Sequence, residues 1–74
     1  MLKSGNLFSL ETGQTAVILA MDIQEKEFKR LESMGIIPGT EVDVLANNGA
    51  SVLLTVGQAK IAVARSLAEK IITV

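Results

Sequence analysis

The chain has 74 residues, 49% of them apolar, no cysteine, no histidine, and a net charge of −1 from 7 basic and 8 acidic side chains. That length predicts a single domain, residues 1–74, with a small core. The composition excludes disulfides, thiolate ligands and the usual general base, and the lack of basic excess argues against a nucleic-acid partner. The longest unbroken apolar run, residues 16–21, is too short to cross a bilayer, so direct membrane insertion is not expected. The first residues lack the apolar core of a signal peptide, and a cytoplasmic protein is expected.

In chain order, residues 1–6 read as a loose N-terminal arm. Leu7, Phe8 and Leu10 then dock on the core, and Glu11-Thr12-Gly13-Gln14 makes a turn. Residues 15–21 centre on Val17, Ile18 and Leu19 and predict a strand buried on both sides. Asp22 with Glu25 fits a capping box opening a helix over residues 23–34. That helix carries Phe28, Leu31 and Met34 as its apolar stripe and a Glu25–Lys29 pair on its exposed side.

Arg30-Leu31-Glu32-Ser33-Met34-Gly35-Ile36-Ile37-Pro38-Gly39 predicts a helix end, a sharp stop and a strand start. Gly35 suits the left-handed position that closes a helix, with Leu31 and Ile36 touching across the cap. Ile37-Pro38-Gly39-Thr40 fits a type II turn, with proline second and glycine third.

Residues 40–45 alternate, with Val42 and Val44 inward and Glu41 and Asp43 outward. Asn48-Gly49 signals a hairpin. The return strand, residues 50–56, sets Val52, Leu54 and Val56 inward and Leu53 toward solvent. After a Gly57-Gln58 turn, Ala59, Ile61 and Val63 continue the alternation with Lys60 outside. Residues 64–69 predict a helical turn anchored by Leu67, and residues 70–74 a last strand. The fold class is therefore mainly β with one short helix: a small closed or nearly closed barrel of about five strands, plugged at one end by Phe28, Leu31 and Met34.

No catalytic residue emerges. Without histidine or cysteine there is no nucleophile–base pair, and no serine stands in a G-x-S-x-G context. No glycine-rich phosphate loop occurs, because the Gly35–Gly39 segment precedes a strand and lacks the lysine. Glu25, Glu27 and Glu32 alternate with Lys26, Lys29 and Arg30, which is the pattern of a solvated, ion-paired helix face. No cofactor is expected, and any divalent metal should bind weakly or adventitiously, because carboxylates alone suit hard cations. The reading is a non-enzymatic protein acting by contact. Its candidate contact residues are Ile37 at the turn tip and Leu53 on the outward side of its strand, with Lys29 and Arg30 as rim charges.

The corner and its flanks resemble the ferrous-iron transport protein A (FeoA) family. The resemblance is carried by Leu10, Gly13-Gln14, Ala16 to Ile18, Arg30, Met34-Gly35-Ile36, Pro38-Gly39, Val42, Val44, Ile61-Ala62, Ala68 and Ile72-Thr73-Val74. Met-Gly-Ile-x-Pro-Gly is its specific part. The sequence departs from the family at the hairpin tip, which reads Asn47-Asn48-Gly49-Ala50-Ser51, and at Glu27 and Glu32, which dilute a usually basic helix. The resemblance implies an SH3-like barrel and a small cytosolic accessory protein of bacterial ferrous-iron uptake. Its implied partner is the cytosolic part of the permease, a FeoB-type membrane GTPase, and a second copy of the chain is the other partner to test. The domain is also similar to the C-terminal domain of diphtheria-toxin-repressor-type regulators, which implies a metal-sensing module as the alternative. That alternative needs a preceding winged helix, and none is expected within this sequence. A polyproline-binding role is disfavoured, because the only aromatics are Phe8 and Phe28.

Overall fold

The computed structural model describes residues 5–74. Strands β1 (Gly5–Asn6), β2 (Thr15–Met21), β3 (Glu41–Asn47), β4 (Ser51–Val56), β5 (Ala59–Ala64) and β6 (Ile71–Thr73) form one antiparallel sheet in the order β1-β6-β2-β3-β4-β5. A 3₁₀ turn (Leu7–Ser9) follows β1, helix α1 (Glu25–Ser33) joins β2 to β3, and helix α2 (Arg65–Ala68) joins β5 to β6. The inward side chains of β2 to β6 meet in a single buried cluster with Leu7, Leu31, Ile36 and Ala68. A flat sheet could not bring them together, so the sheet coils into the expected small SH3-like barrel, left open between β1 and β5.

Among the described residues the sheet has six strands rather than about five. The additional one comes from the arm expected to be loose: Gly5 and Asn6 pair with Thr73 and Ile72 of β6. The Asn6 side chain then caps the 3₁₀ turn by accepting from the Ser9 N–H at 2.9 Å. Leu7 is fully buried, while Phe8 and Leu10 pack on the core margin, as expected of the docking residues. The arm's remaining residues, 1–4, lie outside the described part.

Strand β2 has the expected bounds but is not buried on both sides. Ala16 and Ile18 point inward, whereas Leu19 is 48% exposed. The apolar run splits into an inner row, Ala16 and Ile18, and an outer row that includes Leu19. Its pairing with β6 also slips between Ile18 and Ala20.

Helix α1 starts later than the capping pattern suggests. The Asp22 N–H donates to the Lys70 carbonyl at 2.9 Å, which holds Asp22 beside the last strand. The chain turns only at Gln24, the true N-cap, which makes no side-chain cap bond. The apolar stripe is also shorter than expected. Leu31 is buried and Phe28 half-buried, but Met34 is 36% exposed. Met34 is the C-cap (φ −97°, ψ 4°), where the chain already leaves the helix, and Ile36 enters the core in its place.

Val42, Val44, Val52, Leu54, Ile61 and Val63 are buried as the alternation requires. Strand β3 runs on to Asn47 through an irregularity between Val44 and Ala46 that leaves Leu45 outside. In α2 the buried anchor is Ala68, and Leu67 is half-buried. The small side chain lets this short helix lie close to the core.

Candidate interaction surface

The corner after α1 is built as its glycines and proline demand. Gly35 has φ +90°, a value that side-chain-bearing residues rarely adopt. The Gly35 N–H donates to Glu32 O and the Ile36 N–H to Leu31 O, both at 2.9 Å. These are the two bonds of a Schellman cap. The Thr40 N–H then donates to Ile37 O at 3.1 Å, with Gly39 at φ +93°, which closes the type II turn.

Two further bonds fasten the turn to the sheet. The Gly39 N–H donates to Ile18 O at 2.7 Å, and the Ile18 N–H to Thr40 O at 2.9 Å. The Thr40 hydroxyl reaches Gly35 O at 3.3 Å. The corner is therefore held by cap, turn and sheet together, and Ile37 stands on it 38% exposed. Leu19 follows Ile18 in β2, so its exposed side chain belongs to the same end of the barrel. Met34 immediately precedes the cap glycine.

The other expected contact residues lie elsewhere. Leu53 points outward, between Ala46 of β3 and Ala62 of β5, and is half-buried rather than solvent-facing. Ile37 precedes β3 and Leu53 pairs near its far end, so the length of β3 separates the two. Lys29 and Arg30 are exposed on α1 and already paired: Lys29 Nζ to Glu25 Oε1 at 3.2 Å, Arg30 Nη1 to Glu27 Oε2 at 3.7 Å. Exposed pairs of this kind hold little energy and leave both cations open to exchange partners. Glu27 Oε2 is shielded from solvent and has no hydrogen bond, so Arg30 is the charge that compensates it.

Leu19 was hidden in the sequence by its apolar neighbours. Its place in the odd-numbered row with Thr15 and Val17, against inward Ala16 and Ile18, was the available signal. Met34 lies one residue past the last helical turn, where helical spacing no longer sets the direction of a side chain.

A groove of about 600 Å³ runs between the arm and strands β2 and β6, lined among others by Leu10, Glu11, Gln14, Thr15 and Thr73. Gln14 Oε1 accepts from the Glu11 N–H at 2.6 Å, so part of its polar lining is already paired. Among the described residues no group of three or more acidic side chains could hold a metal ion. Among them also, no helix is long and apolar enough to cross a membrane.

The described residues form a small SH3-like barrel with a fastened corner and exposed apolar side chains. The FeoA domain family model matches residues 6–73, and the chain belongs to that family. The fold agrees with solved structures. An iron uptake regulatory protein (FeoA) superposes with a TM-score of 0.87 at 22% identity, over 99% of this chain and 97% of that one. A FeoA-like protein from Clostridium acetobutylicum gives 0.82 at 20% identity, over 100% and 88%. A manganese-dependent transcriptional repressor gives 0.87 at 18% identity, and there the chain spans 42% of the longer protein. A comparison with curated proteins finds no match.

Proposed function

We propose that this protein is a cytoplasmic accessory factor of bacterial ferrous-iron uptake that works by binding the cytosolic part of the ferrous-iron permease. The observation that carries this reading is the corner. It is held by backbone bonds from three directions, yet presents Ile37 to solvent instead of burying it. A surface fixed before binding loses little conformational entropy when a partner docks. Leu19 and Met34, chain neighbours of the corner residues Ile18 and Gly35, are exposed apolar side chains as well, and Arg30, one helical turn before Met34, supplies a rim charge with Lys29 beside it. Membership of the FeoA domain family supports iron uptake as the setting. The test is binding of the purified permease cytosolic domain to the wild-type chain and to Ile37→Ser, followed by calorimetry.

A second reading, a metal-sensing regulatory module, is favoured by the likeness to the manganese-dependent repressor. It requires metal to change the domain's stability or its partner affinity. Thermal unfolding with and without Mn(II) or Fe(II) separates the two readings.

A further inference from the structure

Among the described residues the sheet has an unpaired edge that neither the core nor the corner uses. Among the described residues, strand β5 is last in the sheet order and pairs only with β4. The Gly57-Gln58 turn makes Val56 and Ala59 the closing, hydrogen-bonded pair, with Gly57 at φ +61° as the first turn residue. Pair types alternate along an antiparallel ladder. Leu54–Ile61 and Val52–Val63 are therefore hydrogen-bonded pairs, while Thr55–Lys60 and Leu53–Ala62 are not. It follows that the backbone N–H and C=O groups of Lys60 and Ala62 point away from β4. No other backbone or side-chain bond takes them up among the described residues.

The edge is sterically accessible. Ala59, Lys60, Ala62 and Ala64 are all exposed, and three of the four carry only a methyl group. The single large side chain is Lys60, which has no ion-pair partner among the described residues, unlike Lys29, Arg30 and Arg65. A lysine on a sheet edge discourages pairing with another copy of the same edge. It favours a strand that brings a carboxylate opposite it.

We propose that the β5 edge binds an extended segment of a partner protein, added as a further strand, with an acidic side chain beside Lys60. Free backbone groups at Lys60 and Ala62 restrict the occupant to an extended chain, and the unpaired ammonium sets its charge. This surface is distinct from the Ile37 corner and does not depend on the permease reading.

The test uses the full chain, isotopically labelled, titrated with a capped peptide of alternating valine and glutamate, and separately with the same peptide carrying lysine for glutamate. Binding should shift the amide signals of Lys60 and Ala62 and slow their hydrogen exchange with the acidic peptide, and much less with the basic one. Lys60→Glu should invert that preference. Ala62→Pro should abolish binding while sparing the β4 ladder, because the N–H it removes does not serve β4. The proposal is overturned by absence of binding at millimolar peptide, by equal response to both peptides, or by shifts centred on Leu19 and Ile37. It is also overturned if Lys60 and Ala62 become protected with rising protein concentration alone, since the occupant would then be a second copy.

Discussion

The Ile36 N–H donates to the Leu31 carbonyl at 2.9 Å, and both side chains are buried in the core. That one relationship joins the helix end to the barrel interior and turns the chain toward Ile37. It exists because Gly35 takes φ +90° between them. A Cβ built at Gly35 meets only Val56 Cγ1 at 3.7 Å, an ordinary contact, so the barrier to substitution is backbone strain and not a clash.

Gly35→Val should therefore destabilise the domain by about 1–3 kcal/mol. Gly35→Asn should cost less, because asparagine tolerates positive φ better than a β-branched residue. Denaturant unfolding of both variants checks the order. Equal stability of Gly35→Val and wild type would show that the cap does not need this geometry.

The late helix start gives a second prediction. Gln24 sits at the N-cap with extended backbone (φ −67°, ψ 153°) but makes no side-chain cap bond. Gln24→Asp should stabilise the domain by about 0.5–1.5 kcal/mol by supplying that bond. Asp22→Ala should change little, since Asp22 is tied to Lys70 through its backbone only. Thermal melts of the two variants decide between this start and one capped by Asp22.

Ile37 and Leu53 should separate on substitution. Ile37→Ser should fold with wild-type stability to within about 0.5 kcal/mol, as expected of an exposed site outside the core. Leu53→Ser should cost roughly 1–2 kcal/mol, because a half-buried leucine loses part of its apolar contact. Circular dichroism with chemical unfolding measures both, and an equal cost at the two positions would contradict the placement described above.

The corner was legible in the sequence because its constraints are local. Positive φ at Gly35 and Gly39 and the fixed φ of Pro38 leave few chain paths, and the structure follows the one expected. The alternations at Val42/Val44 and Val52/Leu54 were legible for the same reason: each strand's period is its own. The misses depend on distant partners. Gly5 and Asn6 become a strand only because β6 offers them an edge, and nothing in a glycine–asparagine pair announces that. Asp22 lost its capping role to a bond with Lys70, near the other end of the chain. Leu53 was assigned correctly to the outer face, but its cover depends on what flanks it across the sheet. The expected contact set of Lys29, Arg30, Ile37 and Leu53 consequently divides between two regions.

Metal binding gives a further expectation. The sequence has no histidine or cysteine, and among the described residues no cluster of acidic groups can hold an ion. The monomer should bind Fe(II) no more tightly than scattered carboxylates do, in the high-micromolar range or weaker, on the order of the weakest oxygen-ligand sites. Anaerobic calorimetry checks this, and a single site per chain of micromolar affinity or better would contradict it.

The most direct test of the account is the affinity of the chain for the permease's cytosolic domain, measured by calorimetry for wild type and Ile37→Ser, with self-association followed in parallel by sedimentation. The account predicts saturable binding by wild type and binding at least several-fold weaker for Ile37→Ser, with both proteins equally folded. Wild-type protein that fails to bind, or an Ile37→Ser variant that binds as tightly as wild type, would contradict it.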